Sequence, residues 1–264
     1  MGVTGGEAHR PVRSEQGKKL KKERERMKIL VLNGSPRGAA GNTERMVQPF
    51  LEGARSAGAE TEILYVKDLK IGFCKGCFAC WTATPGRCVQ RDDMDMALEK
   101  MDAADTLLWA TPLYHFGMTA MLKAVMERTL PLADPHIVKS GDVYTHPGRS
   151  GRRFPQYLLF SNCGFPDQGH FDGLRAHFES LAKASGEHGA IRAVFRSAGE
   201  LLRQEELRPH MQWYFDALRQ AGKEYVEHGS ISGETMEVLH RDLVPREMYI
   251  SRANAHWDSV LKGK

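Results

Sequence analysis

Four of the five cysteines in this 264-residue sequence, Cys74, Cys77, Cys80 and Cys88, fall within fifteen residues in the pattern C-x2-C-x2-C-x7-C. An iron–sulfur cluster needs four thiolates arranged on one small cube. A compact C-x2-C-x2-C run wraps around such a cube, and a fourth ligand can arrive after the Thr84-Pro85-Gly86 turn. Zinc sites more often present two separated C-x-x-C pairs. Thiols that merely pack are the plain alternative. The fifth cysteine, Cys163, stands apart, and packing is its simplest role.

A second chemistry sits at Gly34-Ser35-Pro36-Arg37-Gly38-Ala39-Ala40-Gly41-Asn42-Thr43. This loop joins the apolar run Lys28–Leu32 to a helical pattern, so it lies where backbone N–H groups and a helix dipole favour an anion. Ser35 and Thr43 supply hydroxyls, Asn42 an amide and Arg37 a positive charge. No Lys precedes Thr43 as a P-loop requires, and G-x-G-x-x-G is missing, so neither of those phosphate motifs applies. Two further loops carry groups suited to a flat ligand. Thr111-Pro112-Leu113-Tyr114-His115-Phe116-Gly117 offers aromatic faces and a glycine that permits close approach. Ser161-Asn162-Cys163-Gly164-Phe165-Pro166 exposes backbone amides around Gly164.

The elements that position these loops read as five short apolar strands alternating with helices. The strands are expected at Lys28–Leu32, Thr61–Val66, Thr106–Ala110, Gln156–Phe160 and Ala190–Phe195. Helices are expected from Thr43 to Gly58, after a cap at Asp92, over Met118–Arg128 and over Phe171–Ala184. Residues 131–155 show little periodicity and read as a long connection. Such alternation argues for a parallel sheet covered on both faces, with ligands at the carboxyl ends of the strands. The cysteine loop follows the second strand, which places it near that end. A last helix carries Met211, Tyr214, Leu218, Ala221 and Tyr225 on one face, a stripe that suits a core or a subunit interface.

Taken together these segments resemble the flavodoxin-like NADPH-dependent FMN reductase family. The matching stretches are LVLNGSPRG and GNT within 31–43, C-x-x-C-x-x-C-W with PG-x-C and DDM over 74–94, TPLYHFGM and LK over 111–123, and SNCGFP at 161–166. The resemblance covers roughly residues 27–200. It implies an α/β doubly wound sheet of strand order 2-1-3-4-5 with extra C-terminal helices. It also implies FMN, with the phosphate on the loop of Ser35, Arg37, Gly38, Gly41, Asn42 and Thr43. Pro112, Leu113, Tyr114, Phe116 and Gly117 would line the ring, with Cys163 and Gly164 on its polar edge. The activity implied is an oxidoreductase that passes electrons from NAD(P)H to a quinone, a flavin or another small acceptor. The cysteine spacing resembles the iron–sulfur flavoprotein branch, which implies the alternative of an electron carrier with a 4Fe–4S cluster on Cys74, Cys77, Cys80 and Cys88. A non-catalytic FMN-binding shuttle is a third reading. The resemblance and the aromatic stripe together suggest a homodimer or homotetramer.

Composition narrows the partners. Residues 1–26 hold eight Lys/Arg against four Asp/Glu, and the rest of the chain is balanced, so the net charge of +4 comes from this basic leader. A globular part without basic excess is not expected to bind nucleic acid. No run of about 18 apolar residues suits a membrane span, and the N-terminus shows no apolar signal segment. A cytoplasmic setting with reduced thiols is therefore expected. The expected organisation is the leader, 1–26, followed by one FMN-binding domain, 27–264, with a helical extension.

Overall fold

The computed structural model describes residues 26–185 and 191–263, so most of the basic leader lies outside the described residues, as does Ala190. Five parallel strands form the central sheet: β1 (Lys28–Asn33), β2 (Glu60–Tyr65), β3 (Thr106–Pro112), β6 (Gln156–Asn162) and β7 (Arg192–Arg196). Their order is β2-β1-β3-β6-β7, which is the flavodoxin-like order once the two short strands described below are set aside. Each strand that reads as an apolar run in the sequence is present. β3 and β6 extend two residues further than their apolar cores, carrying Thr111, Pro112, Ser161 and Asn162 within the ladder.

Alternation within the strands explains the layering. In β1, Ile29 and Val31 face one core while Leu30 and Leu32 face the other, because successive strand side chains point to opposite sides. The first face is covered by α1 (Asn42–Ser56) and α5 (Gln212–His228), through Phe50, Tyr214 and Leu218. The second is covered by α2 (Met94–Asp102), α3 (Ala120–Glu127) and α4 (Asp172–Ala184), through Met94, Leu122, Val125 and Phe178. α1 runs unbroken through Pro49, which is buried within it.

α1 and α5 meet backbone to backbone. A Cβ on Gly53 would stand 1.8 Å from the Arg219 carbonyl oxygen, and one on Gly222 would stand 1.9 Å from that of Phe50. The stripe of Met211, Tyr214, Leu218, Ala221 and Tyr225 is spent on this contact. All five are buried in the chain's own core, so the stripe is not a subunit interface. Pro209 lies in a 3-10 turn, Glu205–Met211, ahead of α5.

The long connection contains a two-stranded antiparallel ribbon, β4 (Val138–Ser140) with β5 (Val143–Thr145). Two C-terminal helices follow α5: α6 (Gly233–His240) and α7 (Arg246–Lys262). α7 has no buried residue, and Trp257 and Leu261 are exposed on it.

Candidate functional site

The register of the sheet brings the informative loops to one edge. Asn33 pairs with Ala110, Pro112 with Asn162, and Asn162 with Arg196, so the loops after β1, β3 and β6 leave side by side. Their first turns are braced from within. Asn33 Oδ1 accepts the Ser35 N–H at 2.9 Å, and Asn33 Nδ2 donates to Glu44 Oε2 at 2.8 Å. Glu44 also accepts from Gln48 and from the Tyr65 hydroxyl. Burial, followed by the hydrogen bond and charge of Glu44, pushes the Tyr65 phenol up to about 12.

α1 begins at this point without a side-chain cap, since its N-cap is Gly41. Its first-turn amides lack intrahelical partners, and the Asn42 Oδ1 atom is buried with no hydrogen bond. Ser35 and Thr43 are buried and already engaged. Ser35 Oγ accepts the Arg37 N–H at 3.3 Å, and Thr43 Oγ1 accepts from Asn162 Nδ2 at 2.9 Å. Space around the loop is tight. Gly38 has φ +52°, and a Cβ on Gly41 would stand 2.6 Å from Ser35 Oγ. Arg37 is half exposed and 3.5 Å from Glu200. Burial alone would raise the Glu200 carboxyl. Hydrogen bonds from Arg203 and Asn42, with the charges of Arg203 and Arg37, hold it below the ordinary value instead.

The loops after β3 and β6 are knitted to the loop after β1. Thr119 Oγ1 donates to the Gly34 carbonyl at 2.8 Å, and the Leu113 N–H donates to the Asn162 carbonyl at 2.8 Å. Tyr114 and Gly117 exchange both backbone bonds at 2.9 Å, closing a two-residue turn. His115 and Phe116 occupy it at φ +47° and +62°. Such turns usually take Asn-Gly, and each L-residue in this region costs about 1–2 kcal/mol. Tyr114 and Phe116 point outward and are half exposed. Phe165 packs at a tilt against His170, with ring centroids 4.1 Å apart, and His170 lies 5.7 Å from Phe116. On the third loop Cys163 is buried, and desolvation pushes its thiol up to about 11. Tyr249, on α7, donates from its hydroxyl to the Gly164 carbonyl at 2.6 Å.

The thirteen residues expected from the sequence at this site lie on three adjoining loops or at the element ends that bound them, with Asn42 and Thr43 opening α1 and Pro112 closing β3. Asn162, Thr119, Glu200 and Tyr249 were not singled out. Asn162 and Thr119 stand inside or beside the quoted motifs, as polar residues buried at a strand end and a helix start. Glu200 and Tyr249 arrive from far along the chain, and no local pattern marks them.

The cysteines form a separate pocket. Cys74, Cys77, Cys80 and Cys88 line one cavity together with Arg128, Leu130 and Pro131. Gly76 and Phe78 both adopt positive φ, which curls the run tightly. Trp81 Nε1 donates to the Leu130 and Ala133 carbonyls, and Arg149 donates to the Cys80, Pro131 and Ala133 carbonyls, so the long connection straps the loop down. Burial raises the Cys80 thiol, and the neighbouring thiols, Cys88 first, raise it further. Asp92, expected as a helix cap, accepts the Met94 N–H but spends both carboxylate oxygens on Arg128 at 2.9 and 3.0 Å.

Among the described residues no three Cys, His, Asp or Glu side chains converge on a single ion position. Four thiols around one pocket are the donor set that a thiolate-held iron–sulfur group would need.

The profile of a family described as NADPH-dependent FMN reductase matches residues 27–163. An iron–sulfur flavoprotein of Archaeoglobus fulgidus is 36% identical over 143 residues, which cover 54% of this chain and 58% of that protein. An FMN-dependent NADH:quinone oxidoreductase of Mesorhizobium japonicum is 28% identical over 134 residues, covering 47% of this chain and 59% of that protein. The chain thus spans little more than half the length of these curated relatives. Among solved structures, an FMN-dependent NADH-azoreductase from Bacillus anthracis in complex with FMN aligns with a TM-score of 0.54 at 15% identity, over 76% of this chain and 99% of that one. At that identity the likeness is one of fold.

Proposed function

This chain belongs to the NADPH-dependent FMN reductase family, and from that premise we propose that it is an FMN-binding oxidoreductase taking electrons from NADH or NADPH and passing them to a small-molecule acceptor. The observation that carries the reading is the start of α1. An uncapped helix N-terminus, whose first-turn amides lack intrahelical partners, opens directly beside two loops that present Tyr114 and Phe116. These features fit a phosphate joined to a flat ring.

When bound, FMN supplies the redox chemistry, accepting a hydride and releasing electrons. The protein supplies position and environment. The first-turn amides of α1 and the Arg37 charge hold the phosphate, for which Arg37 must loosen its contact with Glu200. Tyr114 and Phe116 shelter the ring from water. The Cys163 thiol, pushed up to about 11, stays protonated at neutral pH and acts as a hydrogen-bonding group rather than a nucleophile. Titration with FMN, followed by NADH and NADPH oxidation with a quinone or free flavin as acceptor, tests the reading. Tight FMN binding without turnover would leave the non-catalytic shuttle, and absence of FMN binding would remove both.

A second reading is favoured by the shared pocket of Cys74, Cys77, Cys80 and Cys88. In it these four thiolates hold a 4Fe–4S cluster, and the protein is an electron carrier linking FMN to it. The Archaeoglobus relative, named an iron–sulfur flavoprotein, supports it. Iron and sulfide analysis of anaerobically purified protein decides this reading independently of flavin content.

Assembly as a homodimer or homotetramer belongs to the same proposal. The support now comes from α7, which buries no residue of its own yet carries Trp257 and Leu261, rather than from the α5 stripe. A solution mass of 29.6 kDa at micromolar concentration would rule it out. Among the described residues no helix is long and apolar enough to cross a membrane.

A further inference from the structure

Arg128 is the C-cap residue of α3, and its side chain is only 1% exposed. One end of the guanidinium is anchored by three hydrogen bonds. Nη1 donates to the Gly72 carbonyl at 2.7 Å and to Asp92 Oδ2, and Nη2 donates to Asp92 Oδ1. Nε is buried and donates to nothing. The same side chain forms part of the wall around the four cysteines, Cys88 among them.

Burying an arginine is costly, and a buried donor left unpaired adds to that cost. Tethering Gly72 to Asp92 does not account for the expense, because it leaves Nε idle. Asp92 is itself held by the Gly72 and Met94 amides, so the guanidinium is fixed in place. A permanent cation, anchored from behind and carrying a spare donor in a sulfur-lined pocket, matches a guest of negative charge.

We propose that Arg128 is a positioning residue for the cysteine pocket, the fixed counter-charge that stabilises electrons on a thiolate-held iron–sulfur group. The inference rests on the cluster reading given above. Reduction would add one electron at a time to this group, the two electrons of each NAD(P)H hydride passing singly through FMN to it and on to the acceptor, and no bond is made or broken at Arg128. The added negative charge is felt in a buried, poorly screened setting, so the cation favours the reduced form and raises the potential.

The test uses the full chain, purified anaerobically, as parent, Arg128→Met, Arg128→Lys and Asp92→Asn. Iron and sulfide per chain are measured first, and then the cluster midpoint by spectroscopic redox titration, with the FMN midpoint read in the same titration. Arg128→Met should shift the cluster midpoint to more negative values, Arg128→Lys should restore most of the parent value, and Asp92→Asn should shift it the opposite way. The FMN midpoint should stay put throughout. If Arg128→Met loses its iron while Arg128→Lys keeps it, the charge is needed to hold the group, which also supports the proposal. Equal iron loss in both, or full iron with an unmoved midpoint in Arg128→Met, overturns it while leaving the cluster reading intact. Should Arg128→Met fail to fold, an unmoved midpoint in Asp92→Asn overturns it. A parent without iron or sulfide removes the cluster reading, and this inference with it.

Discussion

Thr119 and Arg128 cap opposite ends of the same short helix, α3. Thr119 accepts the Leu122 N–H and donates to the Gly34 carbonyl, holding the loop proposed to take the phosphate. Arg128, nine residues on, faces the cysteines, roughly 13 Å away along the axis at 1.5 Å per residue. The cysteine loop does leave from the carboxyl end of β2, yet its pocket closes against the far end of α3. The two candidate sites of one chain are thereby fixed at the ends of a single rigid element.

Thr119→Ala removes both the cap and the tether to Gly34. Loss of an N-cap typically costs about 1 kcal/mol, or roughly 2–4 °C in Tm for a domain of this size. FMN affinity should fall alongside, whereas Thr119→Ser should keep both. Thermal unfolding with and without FMN measures the pair of effects.

At the phosphate loop, Arg37→Ala should weaken FMN binding. A charge-assisted contact contributes about 1.5–3 kcal/mol. The side chain is half exposed and shared with Glu200, which points to the lower end, about tenfold. Glu200→Gln frees Arg37 and should tighten binding. Calorimetry showing no change in either variant would remove Arg37 from the phosphate site.

The turn at His115 and Phe116 stores strain that substitution can release. Phe116→Gly should stabilise the fold by roughly 1 kcal/mol, yet weaken FMN binding because a sheltering face is lost. His115→Asn should stabilise without that penalty. Unfolding curves and FMN titrations on the same two proteins separate strain from contact.

Alkaline stability should report on Cys163. Its folded-state value is raised from 9.0 to about 11, so the folded state holds its proton more tightly than the unfolded chain does. The associated stability is complete below pH 9 and declines as pH rises toward 11. Cys163→Ser should flatten the pH dependence of unfolding in that window, and an unchanged slope would contradict the assignment.

The cysteines divide by the same logic. If the four hold a cluster, about four irons per chain are expected in the parent. That iron should be retained by Cys163→Ser and lost by Cys77→Ser and by Cys88→Ser. An iron-free parent with full FMN and NAD(P)H oxidation would leave the plain FMN reductase.

Local pattern made the sheet legible. Runs such as KILVL alternate between two cores and admit one placement. The three loops were legible for the same reason, since each follows a recognisable strand. The β4–β5 ribbon was missed because its strands are three residues long, although Gly141-Asp142 between them, with Gly141 at φ +57°, is a hairpin signal. Asp92 reads locally as a cap, and only the folded chain reveals Arg128, 36 residues away, as its stronger partner. The Tyr249 hydroxyl reaches Gly164 across 85 residues, a relationship no periodicity encodes. The α5 stripe had two equally good destinations, core or partner. The two glycines that let α5 sink onto α1 decided between them.

Those glycines also limit how this protein can be rebuilt. Gly53 lies within the stretch matched by the family profile, which ends at residue 163, and Gly222 lies beyond it. Each needs the other's helix to lack bulk at the crossing. A chimera that joins the first 163 residues to the tail of a relative would therefore inherit half of a lock. Unless the donor tail brings its own glycine at the crossing, α1 would be pushed outward and would carry the loop at its N-terminus with it. Modular exchange is open at the loops of this fold and closed at α5.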